Sequence, residues 1–217
     1  MSKKAKSSRS ARDPFLESLI DDVHTAMQRQ ENDDNQSHRR ELIRTLFAAI
    51  DGSVWVYRTE VSEIARTCEI LTPDEELALS EKFVSVTDQG KITAQQRYVS
   101  IMAMIRLTAR LATRINRAFQ PDFGADGWEK FRRAIKIRNR VTHPKVSSDL
   151  LISPEDLSEC LGAFYWLLDH CVTGIGQATV GFEHYLADFR QLLDKLKAGD
   201  PKALAVYHAV KNTPDDI

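Results

Sequence analysis

The sequence has few of the residues that cross-link a chain or interrupt its helices: three cysteines, nine glycines and seven prolines in 217 residues. An odd number of cysteines cannot pair completely, and Cys68, Cys160 and Cys171 show no C-x-x-C spacing. This argues against both a secreted disulfide framework and a zinc knuckle and favours a reducing compartment. Glycine and proline are too rare for an all-β chain with a turn every ten residues or so, so helices are the default expectation.

Long hydrophobic runs are also missing. Arg or Asp interrupts the apolar stretches within about ten residues, well short of the ~20 that a membrane-spanning helix needs. Residues 1–12 lack the apolar centre of a signal peptide. We therefore expect a cytoplasmic protein with no membrane partner, and its 42% hydrophobic residues are enough to build a core.

Charge is balanced overall but unevenly distributed. The net charge is -1, yet between Arg97 and Lys145 twelve basic residues face three acidic ones, a local charge of +9. Such a segment favours an anionic partner, although a solvated basic face explains it equally well. Four arginines fall at i, i+4, i+8 and i+11 and form one helical stripe: Arg106, Arg110, Arg114 and Arg117.

Apolar periodicity predicts a helical bundle. Helices are expected at about 14–30, 38–71, 73–82, 94–119, 127–141 and 153–196, with a short one after Asp200. Gly174 and Gly176 are candidate positions for a kink or interruption of the helix at 153–196. Alternation around Thr87–Gly90 predicts a small β-hairpin over 83–93. The expected organisation is a disordered basic tail at 1–12 and one helical domain at 13–217.

The helix predicted at 38–71 is the longest expected. Its apolar residues step by four and three in strict alternation, the pattern of a packing seam of coiled-coil type: Ile43, Phe47, Ile50, Val54, Tyr57, Val61, Ile64, Cys68 and Leu71. The partner of this seam could be another helix of the same chain or a second subunit.

One short segment departs from a plain bundle. On a helical wheel that starts at Trp128, Arg138 falls in the middle of the apolar half. A guanidinium there must be paired, stacked, or directed into a cavity or interface. Pro144 ends the helix and moves His143 out of the α region, so the imidazole is expected near the turn that carries Arg138 and Asn139.

These residue types suit RNA cleavage. A 2′-hydroxyl attacks the neighbouring phosphate when a base takes its proton, an acid protonates the leaving 5′-oxygen and a cation stabilises the phosphorane. Imidazole can serve as acid or base, and arginine holds two phosphate oxygens. One histidine does one of these jobs at a time, so two copies of the segment in a dimer would supply both, without metal or cofactor. The alternative is structural: Arg138 bridges to a carboxylate and His143 caps the helix end.

The run Arg138-Asn139-Arg140-Val141-Thr142-His143-Pro144 resembles the signature of the HEPN superfamily, an arginine followed by a polar residue, often asparagine, and a histidine after four to six residues. The resemblance covers about 37–172 as a HEPN-like core and leaves 175–212 as a C-terminal extension. It implies a helical-bundle homodimer that cleaves RNA without metal. Many relatives are toxins of toxin–antitoxin pairs or antiviral defence effectors.

Carried over by position, the resemblance implies that Arg138 stabilises the phosphate, Asn139 orients it and His143 is the acid or base. The sequence departs from the pattern of the family at two points. Some relatives have tyrosine where this chain has Lys145. Many relatives use an acid from an earlier helix, and here Glu60, Glu63 and other acids are all candidates. Basic residues expected to contact RNA are the stripe and the motif's neighbours: Arg106, Arg110, Arg114, Arg117, Arg140 and Lys145.

Two alternatives to this ribonuclease remain. The first is a non-catalytic HEPN-like dimer that binds a protein, such as an antitoxin or regulator, or a nucleotide. The second is a plain nucleic-acid binder that uses the arginine stripe. A zinc site from Cys160, His170, Cys171 and His184 is disfavoured, because their spacing does not converge and the cysteines fall on a core stripe.

Overall fold

The structure is a computed structural model, and it describes residues 14–211. The helices are α1 (Pro14–Asn32), α2 (Gln36–Thr67), α3 (Pro73–Leu79), α4 (Ile101–Ile115), α5 (Asp126–Thr142), α6 (Pro154–Lys197) and α7 (Pro201–Lys211), with a short 3₁₀ turn at Ser147–Leu150. Strands β1 (Lys82–Val86) and β2 (Ile92–Gln96) form an antiparallel hairpin. The predicted all-α class with a small hairpin is confirmed. The tail predicted at 1–12 lies outside the described residues.

Helix α2 is the central element of the bundle. It packs against α1, α4 and α6, and α6 also packs along α5. The predicted seam is buried from Ile43 to Val61, so its partners are helices of the same chain. Burial of this continuous apolar face supplies the main driving force for folding.

Helix starts follow local capping chemistry. The Asn35 side chain accepts hydrogen bonds from two backbone N–H groups at the start of α2. Thr72 with Glu75, and Ser153 with Asp156, form capping boxes at α3 and α6, each followed by a proline in the first turn. The helix starts predicted at these threonine and serine residues are confirmed.

The start predicted for α4 was wrong. Residues 94–96 belong to β2, where Ala94 pairs with Val84, and Ser100 caps a helix that begins only at Ile101. The backbone N–H and C=O groups of Ile92–Gln96 pair with β1 and are not available for helical hydrogen bonds. Residues 94–96, which the apolar periodicity had assigned to α4, therefore belong to the strand.

Helix α6 is uninterrupted over 44 residues and is longer than α2, contrary to expectation. Gly174 and Gly176 do not interrupt it. A Cβ atom at Gly174 would lie 2.6 Å from the Tyr57 ring, so the glycine permits close packing of α6 on α2. In the part of the chain that the structure describes, no helix is both long and apolar enough to cross a bilayer.

Candidate functional site

Helix α5, which carries the motif, is fixed to α6 by ion pairs. Arg133 pairs with Glu159 at 3.1 Å and Arg140 pairs with Asp156 at 2.6 Å. Arg140 also donates to the Leu151 carbonyl, at 3.2 Å. The carboxyl end of α5 is therefore held against the start of α6, and much of the charge of Arg140 is already compensated within the chain.

Arg138 is placed differently from Arg140. Its guanidinium carbon lies 5.9 Å from the centre of the Phe47 ring on α2, and its Nη1 donates to the Asn139 side-chain oxygen at 3.1 Å. Among residues 14–211, no carboxylate oxygen lies within 4.0 Å of Arg138, so the ion pair of the structural alternative is not formed. Stacking on an aromatic ring compensates part of the desolvation of this cation.

Arg138 and Asn139 line a cavity of about 480 Å³ between α2, α4, α5 and the base of the hairpin. The lining residues on α2 follow a single helical stripe: Phe47, Asp51, Val54, Trp55 and Arg58. Among the acids that line the cavity, Asp51 is the one whose pKa is affected by the charge of Arg138. Asp51 is exposed, but partial loss of water against the cavity wall raises the pKa of its carboxyl, and the positive charge of Arg138 opposes that rise.

His143 stands outside this cavity. It is the first residue beyond α5, with φ -127° and ψ 59°, and its N–H donates to the Asn139 carbonyl at 2.9 Å. Its side chain is exposed and does not line the cavity of Arg138. In an ideal helix, five residues correspond to about 7.5 Å of rise and a net rotation of about 140°. Within one chain, Arg138 and Asn139 line the cavity and His143 does not.

The loop that follows His143 is held by Asp149. Its carboxylate accepts hydrogen bonds from the backbone N–H groups of Lys145, at 2.8 Å, and Val146, at 3.1 Å. These two bonds lower the pKa of Asp149. The Lys145 side chain is exposed, so it is available at the same surface as His143.

Three arginines of the predicted stripe lie on α4, and Arg117 lies in the turn beyond the end of that helix, so the prediction that all four share one helix was wrong. Arg106 stacks on Phe123 and Trp128, with its guanidinium carbon 5.3 Å and 5.0 Å from the ring centres. Arg114 pairs with Glu75 and donates to the Ile70 carbonyl. Within the described range, Arg110 and Arg117 are exposed and make no ion pair or hydrogen bond. Within the described residues, these two members of the stripe make neither an ion pair nor a hydrogen bond nor an aromatic contact, whereas Arg106 makes an aromatic contact but no ion pair.

Sequence reasoning missed the acid that faces Arg138. Glu60 is exposed, and Glu63 pairs with Arg66 at 2.6 Å; neither lines the cavity. Asp51 does, because it falls on the same helical stripe as Phe47 and Val54. A carboxylate inside an apolar stripe was the signal that could have found it.

The zinc alternative has no geometric support within residues 14–211, where no three histidine, cysteine or carboxylate side chains are placed to hold a metal ion. Cys160 and Cys171 are buried in the core. His170 lies in an aromatic cluster, stacked on Trp166.

No protein-family model, curated protein or solved structure matches this chain. A HEPN assignment therefore depends on the motif and on the geometry around it.

Proposed function

We propose that this chain is a metal-independent endoribonuclease of HEPN type that acts as a homodimer. Arg138 and Asn139 bind the scissile phosphate, and His143 transfers protons. The observation that carries the proposal is an arginine of the motif that stacks on Phe47 at a cavity mouth, with no carboxylate within 4.0 Å among the described residues. Such a guanidinium is available to an anion, since no internal ion pair has to be broken first.

The proposed reaction breaks one P–O bond and forms another. A base takes the proton of the 2′-hydroxyl, whose oxygen attacks the adjacent phosphorus, and an acid protonates the departing 5′-oxygen. The products are a 2′,3′-cyclic phosphate and a 5′-hydroxyl. One imidazole does only one of these two jobs at a time, so the proposed site contains His143 from each of two copies, brought together at one phosphate.

The test is RNA cleavage in the presence of EDTA. Arg138→Ala and His143→Ala are expected to lose cleavage by at least about a hundredfold, the typical contribution of a proton-transfer group. Lys136→Ala on the exposed side of α5 and His184→Ala on α6 are the matched controls. A substrate with a 2′-deoxynucleotide at the cleaved position should remain intact. Full activity of both Arg138→Ala and His143→Ala would refute the proposal.

The shared site has its own test. Heterodimers of wild-type and His143→Ala chains are isolated with two different affinity tags. They retain about half of the activity if each chain holds a complete site. They fall far below half if two histidines serve one phosphate, which is the expected result. A protein that cleaves RNA as a monomer would contradict the composite site and leave the nuclease itself standing.

A second candidate is a non-catalytic helical dimer that binds a protein or nucleotide. It is favoured by the separation of His143 from the cavity and by the engagement of Arg140 with Asp156. Binding without a cut product, unaffected by His143→Ala, would support it. The first proposal also includes the physiological role that the resemblance implies, in a toxin–antitoxin pair or in antiviral defence. Its partner would then be an antitoxin or a regulatory protein.

A further inference from the structure

The second half of α6 extends beyond the bundle core. Gly181 is the last buried residue of this helix, and it packs against Ile115 at the end of α4. Residues 182–197 continue as α-helix for roughly 24 Å, at 1.5 Å per residue. A helical segment that buries no face is expected to be polar on all sides. Residues 182–197 depart from that expectation.

This segment carries an apolar seam with heptad spacing. Its large side chains step by three and four residues, as the a and d positions of a coiled coil do: Phe182, Tyr185, Phe189, Leu192 and Leu196. Tyr185 and Leu192 are each 39% exposed, and Phe189 is 49% exposed. We call these five residues the α6 seam. Since its central side chains stay exposed to water, the helices described within residues 14–211 do not provide the partner that such a seam requires.

The charges around the α6 seam favour a protein partner. The polar side of 182–197 has no net charge, because three acids and three bases balance there: Glu183, Asp188, Asp194, Arg190, Lys195 and Lys197. Helices that lie on membranes have a polar face rich in lysine and arginine, and surfaces that bind nucleic acid are basic. Neither description fits this segment, so the partner expected for the seam is another amphipathic helix.

Two charges at one edge of the α6 seam select the orientation of that helix. Asp188 and Lys195 both fall at the g position, are exposed, and make no ion pair within residues 14–211. In an antiparallel pair of identical helices, Phe189 faces Leu192 of the second copy, and Asp188 then faces Lys195 of the second copy. The two-fold symmetry forms this ion pair twice. In a parallel pair, g faces e, and Asp188 would face an apolar leucine.

We propose that the α6 seam binds the α6 seam of a second copy, antiparallel, around a two-fold axis that passes between Arg190 and Gln191. Covering the half-exposed rings and leucines of both copies removes on the order of 1,000 Å² from water, the size that a specific interface requires. The apolar side chains supply the affinity. The two Asp188–Lys195 pairs fix the orientation and the register.

This contact is separate from the dimer of the proposed function and does not rest on it. Pro154, at the start of α6 beside the motif, lies roughly 55 Å along the helix from the centre of the proposed pair. Antiparallel pairing directs the two starts of α6 away from each other, so it does not bring two copies of His143 together. A protein that makes both contacts therefore assembles beyond a dimer.

The first experiment measures the mass of the intact protein by sedimentation at several concentrations. Phe189→Glu places a charge at the centre of the α6 seam and is expected to reduce the mass of the assembly by at least about half. The ring is half-exposed, so the fold tolerates the change. Val172→Glu is the matched control, because Val172 is a 70% exposed apolar residue of α6 outside the seam. It should assemble as the wild type does.

The second experiment tests the orientation by exchanging charges. Asp188→Lys and Lys195→Asp each place like charges opposite one another twice, so each is expected to weaken the pairing by at least about tenfold. The double variant restores opposite charges and should pair as the wild type does. The two single variants, when mixed, should pair with each other more tightly than either pairs with itself. Asp194→Lys makes the same charge change away from the seam and is the control.

The proposal is overturned if Phe189→Glu has the same mass as the wild type at every concentration. It is also overturned if the double variant pairs no better than the single ones, or if the wild type does not assemble and instead binds vesicles of anionic lipid. RNA cleavage is a separate readout. Phe189→Glu should cleave as the wild type does, and a wild type that assembles through the seam without cleaving RNA would refute the proposed function alone.

Discussion

The rings of Tyr57 and His170 meet edge to face with their centres 5.6 Å apart, in the contact between α2 and α6. Neither the Tyr57 hydroxyl nor His170 Nε2 has a hydrogen-bond partner among the described residues. His170 is only 8% exposed, and burial lowers its pKa from 6.5 to about 4. The imidazole is therefore packed as a neutral ring.

Acid should destabilise the protein through His170. Its folded pKa is lower than its unfolded pKa, so its contribution is complete above about pH 6.5 and is lost as the pH falls towards 4. A shift of this size corresponds to about 3 kcal/mol in the free energy of unfolding. Urea titrations between pH 4 and 7 measure it, with His170→Phe as the comparison. Parallel pH profiles for wild type and variant would show that His170 has no such role.

Gly174→Ala is expected to destabilise the protein by about 1–3 kcal/mol. The new methyl group would lie 2.6 Å from the Tyr57 ring, which is completely buried and cannot move aside. Gly176→Ala is the matched control on the same helix. Nothing lies within 4 Å of its Cβ position, so it should stabilise by about 0.5–1 kcal/mol through helix propensity. Thermal unfolding of both variants decides; equal shifts would contradict the packing argument.

Glu81 joins the hairpin to α2 through its ion pair with Arg58 and its bond from the Val99 N–H. Its backbone has φ 54°, a left-handed conformation that costs a residue with a Cβ about 1–2 kcal/mol. Glu81→Ala loses the contacts and keeps the strain. Glu81→Gly loses the contacts and relieves the strain, so it should be the more stable of the two.

Hydrogen exchange of the β1 and β2 amides measures the effect of Glu81. Exchange should be faster in Glu81→Ala than in the wild type and intermediate in Glu81→Gly, because an isolated two-stranded hairpin is marginally stable. Lys91→Ala near the turn is the control. Unchanged exchange in Glu81→Ala would mean that other contacts hold the hairpin.

The arginines of the stripe, on α4 and just beyond it, should separate into two phenotypes. Arg110→Gln and Arg117→Gln are expected to weaken RNA binding and to reduce the slope of log affinity against log salt by about 1 each, without lowering the melting temperature. Arg106→Gln should instead cost about 0.5–1 kcal/mol of stability, because its guanidinium stacks on Phe123 and Trp128. Filter binding at several salt concentrations and calorimetry distinguish them. If neither Arg110→Gln nor Arg117→Gln changes the RNA affinity, the stripe is not part of the RNA-binding surface.

The sequence by itself determined the helix starts at Thr72 and Ser153, the hairpin turn and the buried seam of α2. Capping links a side chain to a backbone group three residues away, and the seam repeats every three or four residues, so both are local properties of the chain. The position of His143 beyond the helix end followed equally directly from Pro144.

Only the tertiary structure decided which side chains meet at Arg138. Asp51 and Phe47 are distant from Arg138 in the sequence and line one cavity with it because α2 and α5 pack together. Tyr98 lines the same cavity because it follows the hairpin. The continuity of α6 was also decided by tertiary packing. Gly174 packs against Tyr57 and Gly181 packs against Ile115, and this burial outweighs the low helix propensity of glycine. Contacts between distant residues depend on packing of whole elements, and no local pattern encodes them.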